Sequence, residues 1–219
     1  MTRRRFRSLS LALLTTLLVF GLGGLARADV PGAGRSADAG DLATAQAAID
    51  SLTASLPGLV PVTGGGQVAD VPECDVARTA DALAIEAGGL LQSYGGEAGG
   101  GSGQIAVFDS KKLAKRFFKL VTSDDDEVCS VATAEVGLTP FSGGASATAD
   151  LSRGKLRGVR GSVTLVGTIT LGALEILQTD AVVRRGPVVI RGNMGEFATA
   201  GAGLDAIITD WVKSTAKQF

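Results

Sequence analysis

The chain has 219 residues, with 21 Lys and Arg against 22 Asp and Glu, two Cys and no His. That length fits one or two small domains, and 45% apolar against 20% charged residues is enough to build a core. Without imidazole, Ser-His-Asp and Cys-His triads, His-ligated zinc or haem and histidine proton shuttles are all excluded.

Arg3, Arg4, Arg5 and Arg7 lead into the uncharged stretch Leu9 to Leu25 and then Ala26-Arg27-Ala28. This is the basic, apolar and small-x-small order of a secretory signal peptide, with cleavage expected between Ala28 and Asp29. The alternative, an uncleaved anchor, is disfavoured because the apolar stretch is 17 residues long and interrupted by Gly21, Gly23 and Gly24. Thr2-Arg3-Arg4-Arg5-Phe6 resembles a twin-arginine signal, so the pattern leaves the Sec and twin-arginine routes both open. No Cys follows the apolar region, which argues against a lipoprotein anchor. Removing residues 1–28 leaves 16 basic against 22 acidic groups in 191 residues, a net charge of −6. An acidic chain with six Phe, Tyr94 and Trp211 as its only aromatics is not built to bind nucleic acid. An exported monomer is expected, touching a membrane only through an uncleaved leader if at all.

Residues 29–40 are rich in Gly, Ala and Asp without apolar periodicity and read as a flexible leader. From Asp41, Leu42, Ala45, Ile49, Leu52 and Leu56 recur at steps of three and four, predicting a helix that Pro57-Gly58 ends. Thr63 to Gly66 reads as a loop, and Val76 to Glu86 as a helix or an irregular edge. Leu90–Tyr94 and Gln104–Phe108 read as strands joined by a mobile loop over Gly95–Gly103. Asp109 and Ser110 stand where an N-cap belongs, before a helix over Lys111–Val121. Leu113, Phe117, Leu120 and Val121 are assigned to its inner face, and Lys111, Lys112, Lys115 and Lys119 to a solvated outer face. Asp124–Glu127 reads as a solvated turn. Past Cys129 the texture is β, over Ser146–Leu151, Val159–Leu171, Leu174–Arg184 and Val188–Arg191. Reversals at Gly172-Ala173 and Arg185-Gly186-Pro187 are too short for parallel crossovers and force antiparallel pairing. Leu204, Ile207, Ile208, Trp211, Val212 and Thr215 repeat at helical spacing. Residues 41–219 are therefore expected to form one α+β domain: a twisted antiparallel β-sheet flanked by helices, including an amphipathic C-terminal helix.

Cys74 and Cys129 are expected to form one disulfide in an oxidising compartment, closing a loop of 54 intervening residues. There is no Cys-x-x-Cys, and two Cys without His do not make the usual zinc site.

Catalytic signals are thin. Ser152-Arg153-Gly154-Lys155 matches Ser-x-x-Lys, but in a strand-like context and without Ser-Asp-Asn or Lys-Thr-Gly. Asp124–Glu127 lacks the alternating ligands of a calcium loop, and Gly99–Gly103 lacks the Lys-Ser/Thr of a phosphate cradle. No catalytic residue, metal ligand or cofactor is expected. Arg153, Lys155, Arg157 and Arg160, with Arg184, Arg185 and Arg191 on neighbouring segments, form a candidate anion-binding patch. Edge-strand protection by basic residues is the alternative account of the same cluster.

Cys74, the strand-helix unit IAVFDSKKLAKRFF (Ile105 to Phe118), Cys129 and the run AVVRRGPVVIRG (Ala181 to Gly192) before a terminal amphipathic helix resemble a known family. It is the sensor-type domain of actinobacterial secreted proteins and lipoproteins, which includes the extracellular sensor domain of mycobacterial serine/threonine kinase H. The resemblance covers about residues 70–217. It implies an open cleft and a binding or sensing role at the cell envelope. The chain has one cysteine pair where the kinase domain has two, and no Trp precedes Cys129. The expected function is an exported envelope protein, without catalysis, that holds an envelope ligand or a protein partner in a cleft against its sheet. One competitor is a lipid carrier with a cavity lined by Val163, Leu165, Val166, Ile169 and Leu171. The other is a hydrolase using carboxylates alone, which needs two carboxyl groups facing across a cleft.

Overall fold

The computed structural model describes residues 39–62, 71–142 and 146–219. The signal segment at 1–28 and its Ala28/Asp29 junction lie outside the described residues, as does most of the 29–40 leader. Helix α1 spans Ala39–Ser55, so the last two residues assigned to the leader are helical. Its spacing buries Ala45, Ala48, Ile49 and Leu52 on one side. Strand β1 (Leu59–Val62) follows, which the sequence did not announce because four residues containing Pro61 carry little pattern. It lies at one edge of the sheet, where a proline without an N–H is tolerated.

A short 3-10 turn, Pro72–Cys74, opens helix α2 (Asp75–Glu86), which settles the ambiguity there in favour of a helix. Strands β2 (Leu90–Gly96) and β3 (Gly99–Val107) replace the expected mobile glycine loop: only Glu97 and Ala98 lie between them. Glycine has low strand propensity, but β3 is hydrogen-bonded on both sides, and close packing needs its missing side chains. A Cβ on Gly103 would lie 2.5 Å from Leu52 Cδ2, and one on its cross-strand partner Gly192 would lie 2.4 Å from Ile208 Cγ1.

Helix α3 (Lys111–Leu120) begins at Ser110, whose hydroxyl accepts from the Leu113 N–H at 3.2 Å. Its inner face holds Phe117 and Val121 as expected, with Leu120 packed against the same cluster and Ala114 buried beside them, while Leu113 is exposed. Helix α4 (Asp124–Ser142) is the larger correction, because both a solvated acidic turn and the onset of β texture were expected there. Ser123 Oγ accepts from the Asp126 N–H at 3.2 Å, and four acids in the first turn complement the helix dipole. Ser-Asp-Asp-Asp-Glu was therefore a readable helix start.

Strands β4 (Ala147–Gly154), β5 (Ser162–Leu171), β6 (Leu174–Arg185) and β7 (Val188–Phe197) follow, then helix α5 (Leu204–Thr215). Strand β7 outruns its predicted apolar core because Gly192 and Gly195 interrupt the pattern. The β6–β7 reversal places Gly186 at φ 55° before Pro187, the order a two-residue turn with positive φ at its first position requires. The strands form one seven-stranded sheet in the order β1-β2-β3-β7-β6-β5-β4, antiparallel at every pair, so the α+β expectation holds.

Helices α1 and α5 cover one face of this sheet. Leu52, Ile208, Trp211 and Val212 pack there on Ile105, Ile190 and Met194. Each such side chain contributes roughly 1.5–3 kcal/mol by leaving water. Trp211 Nε1 donates to the Ala48 carbonyl at 2.7 Å, tying the two helices together. Gly203, which precedes α5, has no side chain to cap it. Instead the buried Glu196 carboxylate of β7 accepts from the N–H groups of Ala202, Gly203 and Leu204. Helices α2, α3 and α4 cover the opposite face. No helix among the described residues is long and apolar enough to cross a membrane.

Candidate functional site

Cross-strand partners share a face, so the sheet register shows what lies under α2 and α4. Ser93, Ser102, Asn193 and Asp180 form one row across β2, β3, β7 and β6, and Gln104 pairs with Arg191 in the next. Gln178 projects two residues from Asp180 on the same face. All seven side chains are buried. The α1/α5 face has Ile105, Ile190 and Met194 at comparable positions, whereas this face joins the polar rows to an apolar cluster that includes Ala106, Val182 and Val189.

At the centre of the polar face, Arg191 is 3% exposed. Its Nε donates to Asp180 Oδ1 at 3.2 Å and Oδ2 at 3.0 Å, and its Nη2 donates to Asp126 Oδ2 at 2.8 Å and also to Asp180 Oδ2. Asp126 comes from the first turn of α4, so this ion triad fastens the helix to the sheet. Burial pushes the Asp126 carboxyl up, against the pull of Arg191 and with the help of Asp180. Burial alone would lower Arg191, but the carboxylates of Asp126, Asp180 and Asp81 outweigh it and push it up. Asp81, on α2, is raised to about 6 by burial, opposed by Arg191 and reinforced by Asp126. Two carboxylates therefore hold the guanidinium, and a third, Asp81, acts on it through charge alone.

Among the described residues, four buried side-chain atoms have no hydrogen-bond partner: Ser93 Oγ, Gln104 Nε2, Gln178 Oε1 and Arg191 Nη1. All four belong to the polar face. A small pocket, lined by none of these four residues, lies between the α3–α4 junction and strands β4 to β6. Val163, Leu165 and Val182 line its apolar part, Asp126 and Asp180 its polar part, and Arg153 and Glu127 also border it.

The structure joins Cys74 and Cys129 in a disulfide, with Cα atoms 4.7 Å apart, and so links the turn before α2 to α4. Arg153 stands at the pocket, but Asp124 at 3.0 Å and Glu127 at 3.2 Å already neutralise it. It also donates to the carbonyls of Thr122 and Ser123. Lys155, Arg157 and Arg160 are exposed on the segment between β4 and β5. Arg185 donates to the carbonyls of Ala216 and Arg160, while Arg191 is in the interior, so the seven basic residues do not converge. Ser152 donates to the Val166 carbonyl from within β4, and Lys155 lies past the end of that strand, so the helix that Ser-x-x-Lys needs is not there. Among the described residues no three side chains are grouped to hold a metal ion. Asp81, Asp126 and Asp180 gather about a guanidinium rather than across a cleft. Of the five residues expected to line a lipid cavity, Val166 faces opposite to Val163 and Leu165 and is 41% exposed, so the five do not line one space.

No family model and no curated protein matches the chain. What the fold and the site define is a class: an antiparallel sheet between two helical layers, with apolar packing on one face and, on the other, an apolar cluster under α2 and α3 beside a buried polar patch.

Asp81 makes the site pH-dependent in a definite direction. Its folded value of about 6 lies above the unfolded 3.8, so the native state binds this proton more tightly. The resulting stabilisation is fully present below about pH 4 and lost as pH rises through 6, a loss of about 3 kcal/mol by pH 7. Asp81→Asn should therefore raise the melting temperature at pH 7.5 and leave it nearly unchanged at pH 4. Parallel melting-temperature profiles for variant and wild type between pH 4 and 8 would refute the burial of this carboxyl.

Proposed function

We propose that the protein is an exported, non-catalytic binding protein of the cell envelope or extracellular space, which holds a ligand or partner against the polar face of its sheet. One observation carries this: four unpartnered buried polar atoms collect on one face, beside a pocket that reaches its ion triad. An unsatisfied buried polar group costs about 1–3 kcal/mol, so the face is expensive as mere core. A ligand that hydrogen-bonds these atoms would offset that cost. Export is supported by the signal-peptide pattern of residues 1–28 and by the disulfide, which suits an oxidising compartment. The resemblance to actinobacterial sensor-type domains points the same way.

A native mass spectrum of the protein recovered from its own host tests the reading. The expected species begins at Asp29, lacks two hydrogens for the disulfide and carries a bound small molecule or partner. Retention of residues 1–28 would overturn cleavage, and a lipid adduct would favour the carrier. A ligand-free, partner-free protein would count against the binding role. Charge reversal at Arg153, Arg157 and Arg160 tests the basic segment separately. Unchanged retention on an anionic envelope fraction would remove it from the binding surface.

A further inference from the structure

Independently of that reading, we infer that two copies of the protein pair through the free edge of strand β4, joining their sheets antiparallel about a two-fold axis. Among the described residues both edges of the sheet are open, but they are built differently. Strand β1 has four residues and contains Pro61, and shortness and proline both blunt an edge. Strand β4 has eight residues, ATADLSRG, with no Pro and no Lys. It matches β5 residue for residue, from Ala147 opposite Leu171 to Gly154 opposite Thr164, without a bulge. Arg153, the one base on β4, is turned back onto the first turn of α4 by Asp124 and Glu127. Lys155, Arg157 and Arg160 lie past the strand's end, so basic side chains do not guard this edge.

The ladder shows which backbone groups of β4 are free. The Arg184 N–H donates to the carbonyl of Gly161, just before β5, at 3.0 Å. By alternation, β5 turns its odd-numbered residues toward β6 and its even-numbered ones toward β4. Thr148, Asp150 and Ser152, opposite Thr170, Thr168 and Val166, therefore carry the β4–β5 bonds. The N–H and C=O groups of Ala147, Ala149, Leu151 and Arg153 point outward from the edge. Thr148, Ala149, Asp150, Ser152 and Arg153 are all exposed.

These groups complement a second copy of themselves. A two-fold axis through Leu151, perpendicular to the sheet, sets Leu151 opposite Leu151, Ala149 opposite Arg153 and Asp150 opposite Ser152. The outward groups of Ala149, Leu151 and Arg153 then close about six hydrogen bonds between the strands. Each Asp150 carboxylate faces a hydroxyl. Moving the axis to Asp150 would set the two carboxylates against each other, so charge selects the register. One strand pair is a small interface, and a dissociation constant in the micromolar range is expected.

The test is sedimentation equilibrium of the disulfide-intact protein across the micromolar range, with amide exchange at low and high concentration. A monomer–dimer equilibrium is expected, in which the Ala149, Leu151 and Arg153 amides are protected only in the dimer. Ala149→Pro removes an outward N–H without touching the β4–β5 ladder, and Ala149→Lys puts a positive charge opposite Arg153 of the second copy. Each should weaken dimerisation at least tenfold while leaving the melting temperature of the dilute protein unchanged. Ala149→Glu should weaken it less than Ala149→Lys, because the register puts position 149 opposite a cation. A monomer at every concentration overturns the inference, including one whose edge takes up a strand of another protein. A dimer that neither Ala149→Pro nor Ala149→Lys weakens is joined elsewhere and overturns it too. Should both variants unfold, unprotected amides at these three positions in the wild-type dimer overturn it as well.

Discussion

Arg191→Met is expected to destabilise the protein by about 3–5 kcal/mol at pH 7, because it leaves Asp126 and Asp180 buried without their counter-charge. The loss should shrink on acidification. Asp126 and Asp81 both have raised pKa values and take up protons first, turning uncompensated charges into neutral carboxyls. Replacing the whole triad, with Asp126→Leu and Asp180→Leu added to Arg191→Met, should recover most of the loss, since packed apolar residues are often as stable as a buried ion group. Denaturant titration of the three proteins at pH 4.5 and 7.5 measures each term. A single variant within about 0.5 kcal/mol of wild type at pH 7.5, the scatter of ordinary surface changes, would mean that Arg191 does not hold α4 to the sheet.

Removing the disulfide, as Cys74→Ala with Cys129→Ala, is expected to cost about 4 kcal/mol on the chain-entropy model for a sequence separation of 55. The damage should be local before it is global. Among the described residues the packing around the disulfide is a small separate cluster, Val71, Cys74, Ala77 and Cys129, without a large side chain. Without the covalent link, the triad and α2's alanines must hold this layer. Amide exchange in α2 and α4 should therefore accelerate while α1, α5 and the central strands stay protected. Uniform acceleration would show that the α2 and α4 layer is not a separate unit of stability. Two thiols titratable in the native, unreduced wild-type protein would remove the disulfide altogether.

Legibility in the sequence followed the range of the forces involved. Helices α1, α3 and α5 showed in the spacing of their apolar residues, and the β5–β6–β7 meander in its short reversals, because each pattern lies within a few consecutive positions. The cysteine pairing needed only a count of two. Helix α4 was missed although its start was written in Ser123 and the acids after it, because the acidic run was read for solvent exposure rather than for a helix dipole. Strand β3 was misread because glycine's propensity is local, whereas its use here is to let Leu52 and Ile208 approach.

The polar face had no signature of this kind. Arg191 was grouped with surface bases by its neighbours in sequence, yet its partners are 11 and 65 positions away. Neither Asp81 nor Asp180 stands in a sequence pattern that marks it as buried. The sequence by itself determined an α+β chain with a signal-like leader, one cysteine pair and no histidine chemistry, since composition and short-range periodicity carry those properties. Tertiary structure alone decided which charges are buried, which polar atoms lack partners and which sheet face is polar. Those depend on strand register and on helix docking across the sheet, where distant residues meet and water is excluded.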